Sequence, residues 1–127
     1  FGGVLGTAIT RFNDMEIART GLTEREAAAA GLDALGVTTE ASSRAHYYPG
    51  AQPMKIKLVV ERGTGRLLGA QIVGGAGAGK RIDVLATALW NRMTVAEVAG
   101  MDLSYAPPFS PVWDPVLLAA GKAAAMV

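Results

Sequence analysis

Two strand-like runs separated by glycines limit this chain more than any other feature. Lys55-Ile-Lys-Leu-Val-Val-Glu61 and Leu67-Leu-Gly-Ala-Gln-Ile-Val73 are rich in aliphatic residues of strand length, and Arg62-Gly63-Thr64-Gly65 turns one back onto the other. Such a pair closes as an antiparallel β-hairpin, so the remaining elements must be layers built around an antiparallel sheet.

Further strands are expected over Gly6–Phe12, over Glu16–Arg19 after an Asn13-Asp14 turn, and over Val37–Ser43. Thr23-Glu-Arg-Glu26 and Thr94-Val-Ala-Glu97 are capping boxes. In each, a threonine side chain and a glutamate three residues on satisfy the first free amides of a helix. The first helix should run through Ala27–Ala30 and stop at Gly31 or Gly36, and the second near Gly100. Ile82, Leu85, Ala86, Leu89 and Met93 share one face of a helix predicted over Gly79–Met93. Ser110-Pro111 reads as the N-cap and first residue of a last helix reaching about Ala125. Tyr48–Pro53 and Tyr105–Pro108 are proline-stiffened loops. Strands in antiparallel runs with helices beside them predict an α+β fold, an antiparallel sheet with helices packed on it, rather than βαβ repeats.

The 127 residues suffice for one core, and no linker or repeat divides them, so residues 1–127 are expected to form a single domain. Twelve basic against 11 acidic residues leave a net charge of +1, which gives no reason to expect nucleic acid or an anionic membrane as partner. No apolar run reaches the roughly 18–20 residues of a membrane span. The cysteine count is zero, which excludes disulfides, thiolate metal sites and thiol redox chemistry on this chain, and fits a cytoplasmic location. Phe1-Gly-Gly-Val carries neither a starting methionine nor a basic leader region, and reads as a cut within a longer chain.

Gly74-Gly-Ala-Gly-Ala-Gly-Lys80 matches the G-x-x-x-x-G-K phosphate loop between a strand and a helix. Arg81 stands where a Ser or Thr should hold magnesium, and the preceding strand belongs to a hairpin rather than a parallel sheet. The segment therefore reads as a glycine-rich turn, with Lys80 and Arg81 as candidates for holding an anionic or phosphate-bearing ligand. His46 is the sole histidine. Ser42, Ser43 and Asp33 could complete a triad only without a nucleophile elbow, so a solvated loop histidine is expected. Asp83 and Glu97 read as helix-surface or helix N-terminal charges, and no metal ligand set is expected. Five of the eight aromatics fall in two loops: Tyr47 and Tyr48, then Tyr105, Phe109 and Trp113. Phe109 and Trp113 suit core or interface packing; the tyrosines suit an interface or a ligand equally.

Gly6-Thr-Ala-Ile-Thr-Arg, Ala18-Arg-Thr-Gly-Leu-Thr-Glu, Tyr47-Tyr-Pro-Gly-Ala, Lys80-Arg-Ile-Asp-Val-Leu-Ala-Thr-Ala and Tyr105-Ala-Pro-Pro-Phe-Ser-Pro-Val-Trp-Asp-Pro occur in this order. Together they resemble the C-terminal dimerisation domain of FAD-dependent pyridine nucleotide–disulfide oxidoreductases, in the coenzyme A-disulfide reductase and NADH oxidase branch. The resemblance spans essentially the whole chain. It implies a homodimer with an interface of about 2,000 Å² or more. It also implies that the FAD domain, the NAD(P)H domain and the redox-active cysteine lie N-terminal to this segment, so that this fragment itself binds no cofactor. In the coenzyme A-disulfide reductases two tyrosines of the dimerisation domain reach the partner's catalytic cysteine; Tyr105 matches one and either Tyr47 or Tyr48 the other, and the parent's acceptor stays open among a disulfide, peroxide, polysulfide or oxygen. Glutathione reductase-like relatives use a histidine at the position matching Tyr105, and this chain has none there. Pro107, Pro108 and Phe109 are expected near the partner's flavin. The alternative is an autonomous small domain that binds a phosphate-bearing ligand such as coenzyme A through Lys80, Arg81 and the tyrosine loops.

Overall fold

The computed structural model describes all 127 residues, Phe1–Val127. The hairpin forms as β4 (Pro53–Glu61) and β5 (Leu67–Gly74), pairing Lys55 with Val73 and Lys57 with Gln71. Alternation along β4 turns Met54, Ile56, Leu58 and Val60 to one face, where Leu67, Ala70 and Ile72 of β5 join them. The pairing steps from Leu67–Val60 to Gly69–Val59, so a bulge leaves Leu68 unpaired. Leu68 and Val59 therefore share the opposite face, covered by Ala27.

β1 (Ala8–Phe12) and β2 (Met15–Gly21) are joined through Asn13, whose φ of 53° is one asparagine tolerates in tight turns. β2 pairs with β5, and β3 (Ala34–Ser42) pairs with β4. The sheet has five strands in the order β1-β2-β5-β4-β3, every neighbouring pair antiparallel. This is the α+β arrangement expected.

Helix α1 (Glu24–Ala29) opens on its capping box and ends before Gly31, whose φ of 77° supplies the left-handed turn after the cap. Gly36 therefore sits inside β3 rather than terminating the helix. The next helical segment is one 3₁₀ turn, Gly79–Arg81, leading into α2 (Ile82–Trp90), shorter than the helix expected to Met93. α2 buries Ile82, Leu85 and Ala88. α3 (Val95–Ala99) carries the second capping box and buries Val95 and Val98.

The last helix corrects the sequence expectation. α4 spans Pro115–Ala124 with Asp114 as N-cap, accepting from the Val116 amide at 2.8 Å; Pro115, not Pro111, is its first residue. The Ser110 hydroxyl instead donates to the Pro111 carbonyl at 2.7 Å, so it caps nothing. Val116, Ala119, Ala120 and Ala123 of α4 join the residues of α2, α3 and the sheet in one apolar cluster. The small alanines let α4 lie close to the strands, and burial of such a cluster drives folding at about 25 cal/mol per Å² of apolar surface. No helix is long and apolar enough to cross a membrane.

Candidate functional site

Two loops at one edge of the sheet carry most of the aromatics. The first connects β3 to β4. Its base is closed by the Ser43 amide donating to the Gln52 carbonyl at 2.8 Å and by the Gln52 amide donating to the Ser43 hydroxyl at 3.0 Å. Within it the Tyr48 amide donates to the Ala45 carbonyl at 2.8 Å, a tight turn at the Tyr-Tyr pair. The second loop precedes α4, and there the Ala106 carbonyl accepts from the amides of Phe109 and Ser110. One backbone bond, Ala45 N–H to Pro107 carbonyl at 3.2 Å, ties the two loops directly.

Arg81 ties them a second time. Its Nη2 donates to the carbonyls of Ser43 and Phe109, each at 2.9 Å, and its Nε to Asp114 Oδ2 at 3.2 Å. The Arg81 and Asp114 side chains are only 13% and 14% exposed, so water does little to weaken this pair. Arg81, expected beside Lys80 as an anion ligand, thus has its guanidinium engaged inside the chain. Lys80 points to solvent and pairs with Asp83.

The glycine-rich turn is likewise filled from within. Glu16 of β2 places one carboxylate oxygen 2.7 Å from the Gly79 amide and the other 3.3 Å from the Gly77 amide. A phosphate would have to displace this carboxylate. Neither Glu16 nor Asp114 stood out in the sequence. Asp114-Pro115 carries the same N-cap signature as Ser110-Pro111 and could have been found, whereas Glu16 lies about sixty residues from the amides it meets, where no local pattern reaches.

The tyrosines divide. The Tyr48 ring lies under the Arg44 guanidinium, 5.9 Å from the ring centroid, a cation–π contact. Tyr47 meets the His46 ring edge-on at 5.6 Å and lies beside Tyr105. Tyr105 is held above the ordinary phenol range, first by desolvation, then by the charge Tyr47 would carry if ionised and by the phenol–phenol interaction. A raised phenol pKa means a neutral O–H at pH 7, a hydrogen-bond donor. Both phenols remain accessible, Tyr47 at 69% and Tyr105 at 47%. The candidate triad partners of His46 are engaged elsewhere: the Ser42 hydroxyl donates to the Arg44 carbonyl at 2.7 Å, Ser43 is buried against Gln52, and Asp33 pairs with Arg62.

Phe109, Val112 and Trp113 in the second loop are exposed. For Phe109 and Trp113 this removes the core half of the expectation and leaves an apolar surface. The carbonyls of Ala106, Pro107 and Phe109 all have partners inside the chain, so in this segment the Pro108 carbonyl and the Phe109 ring are the groups left to meet something else. No three His, Cys, Asp or Glu side chains converge to hold a metal ion.

Residues 7–115 match the family model for the pyridine nucleotide-disulphide oxidoreductase dimerisation domain. The chain is 49% identical over 120 residues to an NAD(P)H coenzyme A polysulfide/persulfide reductase from Pyrococcus horikoshii, covering 94% of this chain and 27% of that protein. It is 36% identical over 123 residues to a coenzyme A disulfide reductase from Staphylococcus epidermidis, covering 97% of this chain and 28% of that one. Among solved structures, an NAD-dependent persulfide reductase from A. fulgidus superposes with a TM-score of 0.92 at 46% identity, over 99% of this chain and 24% of that chain. The chain therefore spans about a quarter of the length of the relatives it matches.

Proposed function

Because the chain belongs to the dimerisation-domain family of pyridine nucleotide-disulphide oxidoreductases, we propose that it is one segment of a longer FAD- and NAD(P)H-dependent enzyme. In that enzyme it mates with a second copy and presents Tyr47 and Tyr105 to the other protomer's redox centre. The observation that carries this reading is the pairing of the two phenols. Two loops far apart in sequence are bonded to each other, and the tyrosine from each ends beside the other and accessible. A phenol pair with no partner in its own chain is suited to donate hydrogen bonds to something brought from outside.

The zero cysteine count means that any reacting thiol comes from elsewhere, and the partner protomer is where the proposal places it. A sulfur leaving a cleaved disulfide or persulfide bears negative charge as the bond breaks. Two phenol O–H groups aimed at it stabilise that charge by hydrogen bonding, and the raised pKa of Tyr105 keeps its proton in place for this role. Bound by the longer protein, FAD would supply the electrons that pass from NAD(P)H to that sulfur. This chain's share of the flavin site would be the Pro108 carbonyl and the Phe109 ring, with Pro107 held by Ala45 and unable to adjust. Exposed Phe109, Val112 and Trp113 would anchor the contact between copies, as aromatic residues do at interface centres. Low-molecular-weight disulfides or polysulfides, in a cytoplasmic setting that keeps thiols reduced, are the substrates in keeping with this reading. The coenzyme A-binding alternative has less support, since Arg81 and the glycine-loop amides are already engaged.

Tyr47→Phe and Tyr105→Phe in the full-length enzyme test the proposal. Each should slow reduction of a disulfide or polysulfide by about 10- to 100-fold, while flavin reduction by NAD(P)H keeps its rate. Full activity in both variants, or a monomeric enzyme by sedimentation, would refute it.

A further inference from the structure

The Tyr47–Tyr105 arrangement is made by backbone segments that share no secondary structure, so something must fix their separation. Ser43 precedes Tyr47 by four residues and Phe109 follows Tyr105 by four. The carbonyls of these two residues are bonded by the same nitrogen, Arg81 Nη2, each at 2.9 Å. Arg81 is oriented in turn by Asp114 Oδ2 at 3.2 Å and, more weakly, by the Gly77 carbonyl at 3.4 Å from Nη1. Asp114 cannot drift, because its other oxygen caps α4 through the Val116 amide at 2.8 Å, and Val116 is fully buried. The Ser110 hydroxyl lies 3.4 Å from the same Oδ2.

We propose that Arg81 is a positioning residue for the phenol pair: braced by Asp114, its guanidinium clamps both tyrosine-bearing loops and so sets the spacing of Tyr47 and Tyr105. The inference rests on the reading of those tyrosines as partner-facing donors. The geometry requires arginine. A planar guanidinium addresses the two carbonyls, the Asp114 carboxylate and the Gly77 carbonyl at once, whereas a lysine ammonium is a single point with three donors and cannot span them. The clamp has a large effect because hydrogen bonds to a forming charge lose their benefit when the donors are displaced by about 1 Å. Arg81 itself makes no hydrogen bond to either phenol; it acts only through the loops.

The test uses the full-length flavoprotein, with NADH as reductant and whichever of coenzyme A disulfide or polysulfide the wild type reduces. In stopped flow, Arg81→Lys should leave flavin reduction by NADH unchanged and slow reoxidation by the sulfur substrate about tenfold. In a Tyr47→Phe/Tyr105→Phe background the same substitution should add no more than about twofold, since a clamp has nothing to position once the phenols are gone. Wild-type reoxidation in Arg81→Lys, or an undiminished tenfold effect in the double-Phe background, would overturn the clamp. Should Arg81→Lys not fold, Asp114→Asn decides, because the amide oxygen still caps α4 while an NH2 group, itself a donor, replaces the oxygen that accepts from Arg81 Nε. A loss of about two- to threefold that vanishes without the phenols supports the clamp, and no loss overturns it. Slow Phe variants beside normal Arg81→Lys and Asp114→Asn enzymes would sink this inference alone. Fully active Phe variants would sink the reading beneath it.

Discussion

Glu16→Ala should destabilise the protein by about 2–3 kcal/mol, although Glu16 lies on a strand near the sheet edge and touches no apolar core. One carboxylate oxygen accepts from the Gly79 amide at 2.7 Å in a partly buried setting, and a hydrogen bond to a charged group contributes about 1.5–3 kcal/mol. The second bond, to the exposed Gly77 amide at 3.3 Å, is long and adds a few tenths at most. Gly79 is buried under the Ile9 side chain, so its freed N–H is not readily reached by water, which keeps the cost near the upper part of that range. For a chain of this size each kcal/mol moves the melting temperature by about 3–5 °C, giving a fall of about 6–15 °C by circular dichroism. Glu16→Gln retains an acceptor without the charge and should lose about half as much. Emptying the turn also creates a vacancy lined by amides, with Lys80 close by in sequence, so phosphate should restore part of the lost melting temperature in Glu16→Ala relative to chloride of equal ionic strength. A Glu16→Ala protein that melts within about 2 °C of wild type would show that the carboxylate merely rests against the loop.

Gly69→Ala should be among the most damaging single-methyl changes: the added carbon would lie 1.9 Å from the Leu22 carbonyl oxygen, beside the Leu22–Leu68 backbone bond of 2.9 Å. Parting the two segments should cost at least about 3 kcal/mol, and an unchanged urea midpoint would contradict the close approach. The two capping boxes predict an acid-side instability. Glu26 and Glu97 are held below their usual 4.5 mainly by backbone hydrogen bonds from Thr23 and Thr94. A depressed folded-state pKa adds stability that is complete above the unfolded value and is lost as pH falls through the folded one, here below about 4.5. Glu26→Gln/Glu97→Gln should flatten the dependence of melting temperature on pH in that window, and an unaltered slope would count against the boxes.

What could be read from the sequence depended on how far each determinant reaches. The β4–β5 hairpin was legible because alternation and glycine turns are properties of neighbouring residues, and both capping boxes formed as written. The start of α4 was ambiguous for a local reason: Ser110-Pro111 and Asp114-Pro115 carry the same signature four residues apart. What separates them is tertiary, since only the later start lets Asp114 cap the helix and receive Arg81 together. The same limit explains the glycine-rich turn. Its motif describes backbone donors available to an anion, and that is what they are, but the anion is a side chain some sixty residues upstream. Tyr47 and Tyr48 are chemically identical neighbours, and no propensity distinguishes them. Their surroundings differ through other residues: Arg44 takes the Tyr48 face, and the second loop brings Tyr105 to Tyr47, which is why the proposal names Tyr47. In each case the local signal named the chemistry a segment offers, and a residue distant in sequence decided which atoms supply it. The Arg81 clamp belongs to this second class: three of its four partners lie 38, 28 and 33 residues away, and it was visible in the sequence only as a cation beside a lysine.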